Sequence, residues 1–147
     1  MTTKERNLLL TNCFIIALLF AIRISVAGWV LIAIGIWIIL PLFIFHVISS
    51  NKGFKRYSIL NRNDKFTLWL SFISFIIFIL FQYDLDDKAG YMVIEGLVNS
   101  LTNSRNESDF STASTIITVI SGIVFIISDI YILAKLKKIY KNNNAKK

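Results

Sequence analysis

Cysteine, proline and histidine each occur once in this chain, as Cys13, Pro41 and His46. A lone cysteine excludes an intramolecular disulfide, and one histidine with one cysteine cannot make up a His/Cys zinc site. There is no HExxH, no CxxC and no phosphate-cradling glycine loop, so zinc-hydrolase, dithiol and P-loop chemistry are not written here. The residues point to a protein that is not an enzyme and holds no cofactor. Strict alternation of polar and apolar residues over about ten positions is also missing, which argues against membrane β-strands.

Long stretches almost without charge are what the chain has instead. Hydrophobic residues make up 55% of its 147 positions, and the mean hydropathy is +0.64. Four apolar spans read as Leu8–Ala27, Trp29–Ile48, Phe66–Tyr83 and Ala113–Ala134. A helix that crosses a ~30 Å hydrocarbon core needs about 20 residues, which matches each span. The expected fold is all-α: a single integral membrane domain, 1–147, built as a four-helix bundle.

The segments around the spans alternate in charge. Lys4, Arg6 and Glu5 leave +1 ahead of the first span. The 49–65 loop carries Lys52, Lys55, Arg56, Arg62, Lys65 and Asp64, for +4. The 84–112 loop holds Asp84, Asp86, Asp87, Glu95, Glu107 and Asp109 against Lys88 and Arg105, for −4. The basic tail 135–147 adds six lysines. Lysine and arginine beside a span stay on the cytoplasmic side. Both termini and the 49–65 loop are therefore expected inside, with 84–112 outside. The composition, heavy in Ile, Lys and Asn, suits an AT-rich bacterial genome and hence a plasma membrane of the bacterial inner (cytoplasmic) type. A pI near 9.7 then reflects attraction to anionic lipid headgroups and not nucleic-acid binding.

Several local features carry a second reading. Lys4, Arg6, Leu8–Ile22 and Ser25-Val26-Ala27 resemble a signal peptide in outline, but Arg23 and the span that follows at once favour an uncleaved anchor. Pro41 removes a helix donor inside the second span. Phe72, Phe75, Phe78 and Phe81 recur every three residues and read as packing or lipid contact. Tyr91, Ile94, Val98 and Leu101 recur at helical spacing, which predicts a short outer amphipathic helix between spans three and four. Asp84, Asp86 and Asp87 are a weak candidate for a divalent cation, against the plainer reading of a solvated edge.

Ionisable residues inside a span are functional candidates by default. Arg23 lies near the outer end of the first span and is expected to snorkel outward. His46 and Asp129 lie toward the inner ends of their spans, and Asn12 and Ser71 fall at the same depth. A polar intramembrane layer of Asn12, His46, Ser71 and Asp129 follows, one residue per helix. It serves either as interhelical hydrogen bonding or as a proton or cation site. The leading functional expectation is a small multi-pass membrane protein acting through helix–helix contact. It would be an accessory subunit or an immunity-type protein, with a membrane-protein partner or itself. The alternative is a small oligomeric transporter or channel that uses the inner polar layer.

Overall fold

The computed structural model describes residues 1–25, 36–81, 83–85, 90–92 and 111–144. They form four helices: α1 (Thr3–Ser25), α2 (Ile36–Phe54), α3 (Arg62–Phe81) and α4 (Ser111–Asn144). A two-stranded antiparallel hairpin, β1 (Tyr83–Leu85) and β2 (Gly90–Met92), lies between α3 and α4, with Asp84 opposite Tyr91. Stretches in α1, α3 and α4 are long and apolar enough to cross a membrane, while the apolar part of α2, Ile39–Phe54, is shorter.

Helix ends are set by capping and not by hydropathy. Thr2 and Glu5 form a capping box: the Glu5 N–H donates to Thr2 Oγ1 (3.2 Å) and the Thr2 N–H to Glu5 Oε2 (2.7 Å). Asn61 caps α3, accepting at Oδ1 from the Asp64 N–H (2.8 Å). At the other end of α3, Thr118 Oγ1 on α4 donates to the Phe81 carbonyl (2.8 Å), an acceptor that the helix itself leaves open. The expected 49–65 loop is correspondingly shorter than its charge suggested. α2 continues through Ser49, Ser50, Asn51 and Lys52 to Phe54, and a single 3₁₀ turn at Tyr57–Ile59 leads to α3. Backbone hydrogen bonding continues where hydropathy falls, and the chain turns only after Gly53. A Cβ on Gly53 would lie 2.6 Å from Leu68 Cδ1, so this glycine lets the end of α2 approach α3.

Two expectations differ from the structure at other places in the chain. Tyr91, the first residue of the expected amphipathic helix, is extended in β2 instead; aromatic residues suit a paired strand, and Tyr83 stands in β1. Ile94, Val98 and Leu101 lie outside the described residues, as does the turn expected at 27–29. Arg23 does not snorkel: it is 3% exposed, covered within the molecule.

The core follows α3. Leu68, Phe75 and Ile79 meet Phe125 and Ile132 of α4, and Phe43 and Phe54 of α2 join them. α3 and α4 share the most extensive contact, while α1 packs mainly on α2. Phe72 and Phe75 of the three-residue phenylalanine row face this core, and Phe78 packs against Phe125. Polar contacts tie one end together. Glu5 accepts from the Ser58 N–H (3.1 Å) and from its hydroxyl; Lys135 Nζ lies 3.5 Å from Asp64 Oδ1; the Arg56 guanidinium lies 5.7 Å from the Tyr140 ring centre. The start of α1, the α2–α3 turn and the end of α4 therefore share one end of the bundle.

Candidate functional site

In the middle of this core sits Asp129, with no exposed surface. A buried carboxylate is tolerated only with partners on both oxygens. Ser71 Oγ on α3 donates to Oδ1 at 2.5 Å, and His46 Nδ1 on α2 lies 2.9 Å from Oδ2. Ser49 Oγ, one turn below His46, donates to the Asp129 backbone carbonyl at 3.2 Å. One acidic residue on α4 thus ties α2 and α3 together.

Asn12 joins from α1 by a second route. Its Nδ2 donates to Ser50 Oγ (3.1 Å) and to Asn51 Oδ1 (2.8 Å), and Ser50 Oγ donates in turn to the His46 carbonyl (2.7 Å). All four residues of the expected layer lie in one connected network, with Asn12 linked to His46 through Ser50. Arg23 takes no part in the contacts to the Asp129 carboxylate, whose two oxygens are occupied by His46 and Ser71.

The His46 ring is held by aromatic faces and edges. It stacks on Phe75 with centroids 4.0 Å apart at 17°, and Phe125 meets it edge-on at 5.9 Å. Phe75 is itself braced by Phe43 at 4.9 Å. His46 Nε2 is buried and has no hydrogen-bond partner among the described residues, and the same holds for Asn12 Oδ1. The order of the bonded groups matters chemically. Ser71 contacts the carboxylate and not the imidazole, so the site lacks the Ser–His–Asp arrangement that activates a nucleophile. What the arrangement can do is hold three helices in register, or hand a proton between His46 and Asp129.

A second polar cluster lies next along α4, at Tyr131 and Lys135. Tyr131 Oη donates to Asp64 Oδ1 at 2.9 Å, and Lys135 reaches the same oxygen. Asp64 is 1% exposed, although it stands among basic residues in the sequence. Its position three residues after Asn61, at the start of an apolar run, is the signal that could have marked a helix start. Of the acidic trio, Asp84 lies in β1, while Asp86 and Asp87 fall outside the described residues.

The outward face of α4 carries a feature that span-finding passes over. Ile116, Ile120, Ile123, Ile127 and Ile130 are each more than half exposed. Their spacing alternates four and three, an average repeat of 3.5 residues. It runs opposite the buried Phe125, Asp129 and Ile132. The chain matches no family model, no curated protein and no solved structure.

Proposed function

We propose that this is a small multi-pass membrane protein that works by docking a helix of another membrane protein, or of a second copy, along the isoleucine seam of α4. The observation that carries this reading is the five-residue repeat Ile116, Ile120, Ile123, Ile127, Ile130, exposed along a helix whose other face is fully used. Apolar exposure alone is no drive inside lipid, because acyl chains are as apolar as isoleucine. Regular spacing is different. β-Branched side chains hold one rotamer in a helix, so they lose little freedom on packing and mesh as knobs into holes. An accessory subunit or an immunity-type protein acts in this way, with no chemistry of its own. The alternation of basic and acidic segments supports an orientation with both termini and the 49–65 segment cytoplasmic, in a bacterial inner membrane.

Photo-crosslinking tests this reading. A benzophenone amino acid placed singly along positions 116–130 in native membranes should trap one identified protein, with yields peaking at 116, 120, 123, 127 and 130. Adducts of equal yield around the helix, or adducts to lipid alone, would refute it.

A second reading, passage of protons or cations through an oligomer, is favoured by one observation: the His46 ring meets the Asp129 carboxylate through Nδ1, while its buried Nε2 has no hydrogen-bond partner among the described residues. Flux in proteoliposomes that disappears in Asp129→Asn, with folding kept, would replace the first reading by this one.

A further inference from the structure

Between α1 and α2 lies an open groove of about 350 Å³. Ile16, Ala17 and Phe20 form one wall, and Leu40, Ile44 and Ile48 the other. Cys13 and Asn51 supply its polar lining, and they lie together, with Cys13 Sγ 3.5 Å from Asn51 Oδ1. The groove is thus apolar along its length and polar at one end.

Its length decides what fits. Leu40 and Asn51 are eleven residues apart, about 16 Å at 1.5 Å per residue. One leaflet of a ~30 Å hydrocarbon core is about 15 Å deep. A partner helix about 10 Å across that spans the membrane is about twice as long as this groove. A single acyl chain from the leaflet on the Asn51 side matches it.

The polar end continues into positive charge. The Lys55 N–H donates to the Asn51 carbonyl at 3.0 Å, so Lys55 follows Asn51 in helical register. On α1, Arg6 lies seven residues before Cys13, two turns along the same face. Both cations are exposed. The acidic residues nearest to them in sequence are both buried and engaged, Glu5 beside Arg6 by Thr2 and Ser58, and Asp64 after Lys55 by Tyr131 and Lys135.

We propose that the α1–α2 groove binds one acyl chain of an anionic glycerophospholipid, with the phosphate held between Arg6 and Lys55. The inference rests on the helices crossing a bilayer, but it does not depend on the α4 seam. Each cation near a membrane surface contributes a factor of about five toward an anionic headgroup.

The test is native mass spectrometry of the full chain, titrated with mixed micelles of dioleoyl phosphatidylglycerol or dioleoyl phosphatidylcholine. A one-to-one phosphatidylglycerol complex is expected, weakened about fivefold by Lys55→Gln and about fivefold again when Arg6→Gln is added. Ala17→Trp and Ile48→Trp fill the groove from opposite walls, and each should abolish the complex with circular dichroism unchanged. Lys137→Gln with Lys138→Gln removes equal charge from α4 and should leave the complex intact. Equal retention of phosphatidylcholine, wild-type retention in both folded tryptophan variants, or equal loss from the α4 pair would overturn the proposal. Crosslinking at the seam is read separately, so failure there leaves the lipid result standing.

Discussion

The contact between His46 and Asp129 makes the sharpest quantitative prediction. Asp129 is fully buried, and its Oδ2 has His46 Nδ1 at 2.9 Å while Oδ1 accepts from Ser71. Replacing His46 by Leu leaves Oδ2 buried without a donor, in a site walled by Phe75 and Phe125. Removing one partner of a buried charged pair costs about 3–5 kcal/mol in water-soluble proteins. In membranes the unfolded state also finds hydrogen-bond partners, and measured couplings average ~0.6 and reach ~1.7 kcal/mol. A charge-assisted, dry pair belongs at the top of that range, so a coupling of about 2 kcal/mol is expected. The double variant His46→Leu/Asp129→Ala removes both groups and should cost about 2 kcal/mol less than the two single variants added.

Asp129→Asn provides the internal control. Its amide oxygen can still accept from Ser71, and its NH₂ can donate to Nδ1 once the imidazole proton moves to Nε2, a nitrogen without a hydrogen-bond partner among the described residues. That variant should lose only the charge assistance, about 1 kcal/mol. The assay is reversible unfolding of the four variants in mixed micelles, titrated with a denaturing detergent. Additivity of the two single losses within about 0.5 kcal/mol would mean that the pair contributes nothing specific, and the reasoning would fail.

Three further predictions follow from single contacts. Asn12→Ala should destabilise by about 1–2 kcal/mol in the same assay, and Asn12→Asp by more, because Nδ2 donates to two acceptors that a carboxylate would face unprotonated. Gly53→Val should cost about 1–3 kcal/mol by overpacking against Leu68, and shortening that neighbour in Gly53→Val/Leu68→Ala should return part of the loss. With Cys13→Ala as background, Lys88→Cys should react with a membrane-impermeant maleimide in intact cells and Lys55→Cys only after lysis; the reverse pattern would overturn the orientation.

The four helices were legible because a run of about 20 residues almost without charge has few alternatives. Their ends were not. Hydropathy marks where the chain leaves the apolar layer, whereas a helix continues until its backbone is capped. Ser49 and Ser50 show the consequence: assigned to a loop, they lie within α2 and donate to Asp129 and His46 carbonyls. Depth arithmetic at 1.5 Å per residue placed Asn12, His46, Ser71 and Asp129 at one level. It says nothing of rotation about each axis, so it could not tell that Asp129 meets His46 and Ser71 directly while Asn12 reaches them through Ser50. Arg23 was misjudged for a related reason: proximity to a span end permits snorkelling but does not require it.

Charge shows where a linear count understates the folded molecule. Summed by segment, Glu5 and Asp64 each offset a neighbouring cation. In the structure both are buried, Glu5 held by Thr2 and Ser58, Asp64 by Tyr131 and Lys135. Lys4, Arg6, Lys52, Lys55, Arg56 and Arg62 remain exposed at the same end. Each acid is spent on joining elements: Glu5 ties α1 to the α2–α3 turn, and Asp64 ties α3 to α4. The fold therefore sorts the charges at this end, turning both carboxylates inward as fasteners between elements and leaving the cations exposed.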